Sequence, residues 1–259
     1  MIRAIMSGCN GKMGQVITGI CKEDADIEIV AGIDLYDGIK NDYPVFPNIS
    51  VCDVAADVII DFSNAIAVDD LLVYSVDKQI PVVLCTTGLS EEQLKKVDGA
   101  SKKVAVLKSA NMSLGINMLM ELLKQAATIL APAGFDMEIV EKHHIQNLDA
   151  PSGTAITLAE GVIAGLPAKT EWVNYAPGIE HAANRIGSPA EATPEQDMIG
   201  SVREGMVPGI HTVTYESEDD ILELKHTIKN RRTLAMGAVI AAEFLCGKQG
   251  VYSMDDLLK

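Results

Sequence analysis

The sequence predicts an α/β protein in which a parallel sheet, covered by helices, precedes a mixed α/β domain. Three observations carry this. The first third alternates short apolar runs with helical patterns, as a parallel sheet covered on both faces does. A glycine-rich turn joins the first run to the first helix. After residue 113 the alternation gives way to long helices and two strands flanking an acidic turn.

The elements follow in order. Residues 2–6 are a short apolar strand that meets glycine at Gly8. Residues 12–22 place Met13, Val16, Ile17 and Ile20 at helical spacing. Residues 27–33 form a second strand ending at Asp34. Strands at 58–62, 81–85 and 104–107 alternate with helices at 68–76 and 91–97. The middle begins with a long helix, 114–130, then a strand at 137–140 and a helix at 156–164. Residues 166–197, rich in Pro, Gly, Ala and Asn, read as a loop in which Trp172 and Tyr175 are packing residues. Strands 211–215 and 221–228 flank the turn 216–220, with Leu222, Leu224, His226 and Ile228 on one face. The last helix, 234–245, is apolar almost all round and should be buried.

Composition narrows the function. The 259 residues carry 21 Lys and Arg against 36 Asp and Glu, a formal charge of −15. Both parts are acidic, with 16 acids and 10 bases up to residue 113 and 20 acids and 11 bases after it. Such a chain lacks the electrostatic footprint for nucleic acid or an anionic membrane. Five widely spaced cysteines, without a Cys-x-x-Cys, argue against a disulfide framework and a zinc site. With no signal-peptide architecture and no spanning segment, a cytoplasmic protein is expected.

Gly8-Cys9-Asn10-Gly11-Lys12-Met13-Gly14 lies between the first strand and the first helix. It is a G-x-x-G-x-x-G variant of the dinucleotide fingerprint. Its glycines permit a tight turn and close approach to a pyrophosphate, and the helix N-terminus offers free N–H groups. Asp34 follows 20 residues after Gly14, where a carboxylate binds a ribose hydroxyl. Cofactor candidates are therefore Gly8, Asn10, Gly11, Lys12, Met13, Gly14 and Asp34. Asp34 favours NADH, while Lys12 and Lys40 leave NADPH open. Phe62, Thr86 and Gly88 close later strands on the same sheet edge. They are nicotinamide neighbours or, on the plainer reading, caps and turns.

The densest chemistry is residues 141–155. Adjacent His143 and His144 follow a strand, and Asp149-Ala150-Pro151-Ser152-Gly153-Thr154 has helix-start grammar. Ser152, Gly153 and Thr154 would present donors to a carboxylate, and a nearby histidine suits a general acid near neutral pH. A metal reading lacks a third ligand at local spacing. A core histidine and a bare helix cap are the plainer alternatives.

These motifs make the chain resemble the bacterial dihydrodipicolinate reductases over nearly its whole length. The resemblance rests on the glycine loop, Asp34, Asp61-Phe62-Ser63, Thr86-Thr87-Gly88 and Ala110-Asn111-Met112-Ser113-Leu114-Gly115. It continues through the His-His and Pro-Ser-Gly-Thr segments, Ser201-Val202-Arg203-Glu204-Gly205, Gly209-Ile210-His211, Gly237-Ala238-Val239 and Gly247-Lys248. It implies a Rossmann-like dinucleotide-binding domain at 1–113 and a substrate-binding and tetramerisation domain at 114–228. A C-terminal segment, 229–259, returns to the first domain. It implies reduction of 4-hydroxy-tetrahydrodipicolinate, a small cyclic dicarboxylate, by NADH or NADPH in lysine and diaminopimelate biosynthesis. His143 would donate the proton, His144 would help hold substrate, and Ser152, Gly153 and Thr154 would grip a carboxylate. Ala110, Asn111, Met112 and Arg231 join the cofactor candidates, and no metal is implied.

One departure matters most: Asn147 stands where the family carries a catalytic lysine. Ile210 stands where a glutamate is common, and residues 229–232 are more basic than usual. Three readings follow. In the first the reductase is active and other bases compensate. Residues 225–232, with four bases and no acid, are the first source of that charge, and Arg203 is another. The second is an imine reductase with another substrate. The third is a nucleotide-binding homologue with weak turnover.

Overall fold

The computed structural model describes residues 1–109, 111–147, 150–166, 172–175 and 197–258. The first stretch contains β1 (Ile2–Ser7), α1 (Lys12–Glu23), β2 (Ile27–Ile33), β3 (Val45–Phe46), β4 (Val58–Asp61), α2 (Ala65–Lys78), β5 (Val82–Leu84), α3 (Glu91–Ser101) and β6 (Val106–Lys108). Next come α4 (Leu114–Leu130), β7 (Asp136–His143), α5 (Gly153–Ala164), β8 (Trp172–Tyr175), β9 (Asp197–Arg203), β10 (Ile210–Glu216) and β11 (Ile221–Thr227). The chain closes with α6 (Arg232–Leu245) and β12 (Val251–Tyr252). It divides into two compact units, Met1–Leu114 with Arg231–Lys259, and Gly115–Asn230.

The first unit is built on a seven-stranded sheet in the order β12-β6-β5-β4-β1-β2-β3. All its pairings are parallel. Its strands are continuous apolar runs because helices cover both faces. On one face Ala4, Met6, Val58 and Ile60 pack with Ile17 and Ile20 of α1 and with Ala238, Ala241 and Ala242 of α6. On the other, Ile5, Ile59 and Val82 pack with Leu71 and Leu72 of α2 and Val97 of α3. Small residues bring α6 close: a Cβ on Gly237 would fall 1.7 Å from the Met112 carbonyl oxygen. The five cysteines are free thiols.

The second unit is a mixed sheet in the order β11-β10-β7-β9-β8. β7 pairs antiparallel with β10 and parallel with β9. Burial alternates along β7 and β10 with the two-residue period of a half-covered strand. Met137, Ile139, Ile199, Val213 and Tyr215 pack under Leu119 and Leu123 of α4 and Leu158 and Val162 of α5. The opposite face carries half-buried Val140, Val202, Thr212 and Thr214.

Two differences from the sequence reading have physical causes. Strand β7 runs to His143, three residues beyond the expected end at 140, because β10 pairs with it as far as Lys142 and β9 from Ile139 to His143. Residues 172–175 form β8, parallel to β9, inside the stretch expected to be loop. Residues 167–171 and 176–196 of that stretch lie outside the described residues.

Candidate active site

Two sets of side chains merit chemistry, one in each unit. In the first unit the glycine loop sits at the carboxyl edge of the parallel sheet, where this fold binds ligands. Gly8 has φ +79° and touches the next strand: a Cβ there would fall 2.5 Å from the Phe62 carbonyl oxygen. A Cβ on Gly14 would fall 2.2 Å from the Gly8 carbonyl oxygen, but on Gly11 the nearest atom is 3.3 Å away. Gly8 and Gly14 therefore serve the packing of the turn, and Gly11 is the least crowded of the three, although a Cβ there would still press on the Gly8 carbonyl oxygen. The first bond of α1 runs from the Gln15 N–H to the Gly11 carbonyl, so the helix offers no acceptor to the N–H groups of Lys12, Met13 and Gly14. That cradle suits a pyrophosphate.

Asp34 closes β2 beside it. Its Oδ2 accepts the Asn10 N–H at 2.9 Å and its Oδ1 accepts the Tyr36 N–H at 3.0 Å. An ionised carboxylate accepts at about four sites, so about two remain for a ribose. A cleft of about 440 Å³ opens here between Gly8, Asp34 and Leu35 on one side and Phe62, Ser63 and Ile66 on the other. Among the described residues no lysine or arginine lines it, Lys12 and Lys40 included. The Asn10 side chain donates to the Tyr36 carbonyl, and its own oxygen accepts from Asn41 at 2.8 Å, so the loop is held in place.

Thr86 is buried, and its hydroxyl donates to Asp61 at 2.6 Å. The Ser63 hydroxyl donates to the other Asp61 oxygen at 2.6 Å. Burial pushes the Asp61 carboxyl up, against these hydroxyls, which draw it down. Asp61 thus ties the ends of β4 and β5 together. Gly88 has φ +73° with open space around its Cα. Asn111 anchors its own turn, its Oδ1 accepting from the Ser113 N–H at 2.9 Å. Met112 is buried in the core. Arg231 is exposed at the N-cap of α6. Ala110 lies outside the described residues.

The second set follows from strand register. Ile139 pairs with Ile199 and Val213, which are core. Two residues on, Glu141 pairs with Ser201 and His211, and two further His143 pairs with Arg203. The same face thus passes from apolar to ionisable toward the end of β7. Glu141 is fully buried, and its Oε2 meets Nδ1 of His143. Its Oε1 accepts from Arg203 Nη2 at 2.8 Å and from the Ser152 N–H at 3.2 Å. Burial pushes the Glu141 carboxyl up, but the His143 and Arg203 contacts outweigh it and bring it to about 2. His211 stacks edge-on to His143 at 5.0 Å between ring centroids. Burial, then the proximity of His143, push His211 down to about 3, so it is neutral. Glu141, His143 and His211 bring ligand-type atoms within 4.8 Å of one another. Both carboxylate oxygens are already engaged and Arg203 supplies the positive charge, so the set reads as a hydrogen-bonded array rather than a cation site.

Ser152 is turned inward. Its hydroxyl caps α5 by accepting the Ala155 N–H at 3.2 Å and lies 3.3 Å from His211 Nε2. Gly153 is exposed and Thr154 half-buried in the first turn of α5. His144 is half-buried, with its Nδ1 enclosed. Asn147 is half-buried, and its main-chain oxygen accepts Arg203 Nε at 3.0 Å. Lys142 points to the opposite face and pairs with Glu204. Lys225 opposes Thr212 on that same outer face, and Arg232 pairs with Glu23 at 3.3 Å. Among the described residues Arg203 is a base that the second unit places at Asn147, and its charge is shared with Glu141. Sequence reasoning assigned no role to Glu141, His211 or Gly209. The signal for Glu141 was its place two residues before His143 on a strand, which puts both on one face.

A parallel sheet with a dinucleotide cradle, joined to a mixed sheet bearing a buried histidine array, defines a two-unit oxidoreductase class. The family models for the N-terminus and C-terminus of dihydrodipicolinate reductase match residues 2–112 and 115–258. The chain belongs to the dihydrodipicolinate reductase family. It is 44% identical over 261 residues to the 4-hydroxy-tetrahydrodipicolinate reductase of Clostridium novyi (strain NT), covering 100% of this chain and 99% of that protein. It is 43% identical to the reductase of the same name from Caldanaerobacter subterraneus subsp. tengcongensis, covering 100% and 99%. A solved structure of dipicolinate-bound dihydrodipicolinate reductase from Paenisporosarcina sp. TG-14 shares the fold. Its TM-score is 0.80 at 24% identity, covering 98% of this chain and 97% of that one.

Proposed function

We propose that the chain reduces 4-hydroxy-tetrahydrodipicolinate to tetrahydrodipicolinate, with loss of water, in lysine and diaminopimelate biosynthesis. The observation that carries this is the match of both family models across the chain, with the His143 array at the end of β7. A bound nicotinamide supplies the hydride. The N–H groups at the start of α1 hold its pyrophosphate, and Asp34 takes the adenosine ribose. NADH is the preferred cofactor, because Asp34 lines the cleft and, among the described residues, no base does. Phe62, Thr86 and Gly88 shape the sheet edge for the nicotinamide.

In the second unit His143 donates the proton from its ring. Gly153 and Thr154 hold a substrate carboxylate with the first-turn donors of α5, while Ser152 keeps that turn in place by its cap. His144 and Asn147 add polar contacts on the same loop. We further propose a cytoplasmic homotetramer assembled through the face bearing Val140, Val202, Thr212 and Thr214.

The test is an assay coupled to dihydrodipicolinate synthase, following NADH and NADPH oxidation. Synthase-dependent oxidation is expected. Its absence with both cofactors refutes this reading, and nucleotide binding without turnover on any cyclic imine would favour the binding homologue.

A further inference from the structure

We propose that Glu141 is a positioning residue: its carboxylate, clamped by Arg203, holds His143 by Nδ1 so that Nε2 alone is presented to the reacting substrate. The inference rests on His143 being the proton donor, and it concerns how that donor is set.

Each part has its own observation. His143 has two ring nitrogens, and a bond at one fixes the proton on the other. Nδ1 is taken by Glu141 Oε2. Nε2 lies over the backbone of Gly209, where an added Cβ would fall 3.0 Å from it. Glycine at 209 therefore keeps the only other ring nitrogen uncovered. Glu141 cannot turn away, because its second oxygen is held by Arg203 Nη2 and by the Ser152 N–H. Arg203 in turn is held by the Asn147 and Val202 main-chain oxygens, at 3.0 and 2.9 Å. The groups facing His143 are Glu141 on its own strand, Arg203 from β9, His211 from β10 and Gly209. His226 lies beyond His211 on β11. Among these Glu141 is the one anion. It therefore stabilises the charged imidazolium that must form before a proton is given, and it keeps the neutral ring in the Nδ1–H form afterwards.

The array also bears on Asn147. With asparagine at that position, His143 is the proton donor of this array, and the carboxylate that stabilises its charged form becomes a lever on the reaction.

Two measurements test this. In the wild-type chain, 15N spectra of histidine, with His143 identified by a His143→Gln variant, report the tautomer whether or not substrate turns over. The Nδ1–H form is expected for neutral His143, and a dominant Nε2–H form overturns the proposal. This readout stays valid if the coupled assay shows no activity, so the two failures are distinguishable. The second measurement is Glu141→Gln, which keeps the shape and removes the charge. kcat should fall roughly 10- to 100-fold with the KM for the nucleotide unchanged. The alkaline limb of the pH profile should move to lower pH, and Glu141→Asp should restore part of it. A purely structural Glu141 would lower stability but leave the limb in place, and that result overturns the proposal. Should Glu141→Gln fail to fold, Gly209→Ala substitutes. It should lower kcat by covering Nε2 while the tautomer stays Nδ1–H, and unchanged kcat counts against the proposal.

Discussion

Replacing Asp34 with asparagine separates charge from shape at the ribose cleft. An ionised Asp34 with about two free acceptor sites can take ribose hydroxyls, but it meets a 2′-phosphate with repulsion. A phosphate of charge about −2 at about 5 Å from a carboxylate costs about 1.7 kcal/mol in a water-like dielectric. At physiological salt, with a screening length of about 8 Å, this falls to about 1 kcal/mol. Loss of the hydroxyl hydrogen bond adds about 1 kcal/mol. The wild-type chain should therefore prefer NADH over NADPH by roughly 30-fold in kcat/KM. The Asp34→Asn variant loses the charge and keeps an acceptor oxygen for only one of the Asn10 and Tyr36 N–H groups, which bond to different oxygens of Asp34. The NADPH-to-NADH ratio should rise about fivefold at physiological salt and about 15-fold at low salt. The assay is initial-rate kinetics with both cofactors at two ionic strengths, with thermal unfolding as the control. A wild-type preference for NADPH, or a ratio that ignores the substitution, refutes the assignment of Asp34.

Gly14→Ala places a Cβ 2.2 Å from the Gly8 carbonyl oxygen, so it should destabilise the first unit by about 1–3 kcal/mol in denaturant titration. Gly11→Ala presses on the Gly8 carbonyl oxygen at 3.3 Å, so it should cost less stability than Gly14→Ala yet lose nucleotide affinity by calorimetry. Acid should unfold the chain in two stages. His211 is held neutral down to about pH 3, so below its ordinary 6.5 the unfolded chain takes up a proton that the folded one does not. Stability should fall by about 1.4 kcal/mol per pH unit through that window, or about 3 kcal/mol by pH 4. Glu141, ionised down to about 2 against an ordinary 4.5, adds its loss only below 4.5. Urea unfolding at stepped pH checks both, and a flat profile from 6.5 to 4.5 contradicts the burial of His211. Asn147→Lys should tighten substrate binding roughly 10- to 100-fold if a charge-assisted contact is missing there. An unchanged KM for substrate would show that the site has another solution.

Much of this was legible because period and punctuation are local. The parallel sheet announces itself as apolar runs between helices, and Leu114–Leu130 shows its stripe along its full length. The glycine loop and Asp34 are adjacent to a strand and a helix that the same pattern reveals. The array in the second unit was harder. Glu141, Arg203 and His211 come from three strands, and only their register puts them on one face. Arg203 reads as a free cation in the sequence, and its bond to Glu141 is a tertiary fact. Strand β9 was missed because Gly200 interrupts it and its stability comes from neighbours on both sides. Ser152 looked like an outward donor, yet its hydroxyl is spent on capping α5.

The charge arithmetic now points to a particular means of holding an anionic substrate. At −15 the chain cannot draw a dicarboxylate in by its overall field. Arg203 is the base placed nearest the histidine array, and Glu141 already offsets it. Lys142 and Lys225 face the other side of the sheet. Also on the array's side is the start of α5, whose first-turn N–H groups carry partial positive charge without a titrating group. Substrate affinity should then depend weakly on pH across the range where lysine would ionise, and a second cation at residue 147 would add to this seat rather than replace it. Binding by α5 and proton transfer by His143 would be separable by mutation, with changes at Thr154 read in KM and changes at Glu141 read in kcat.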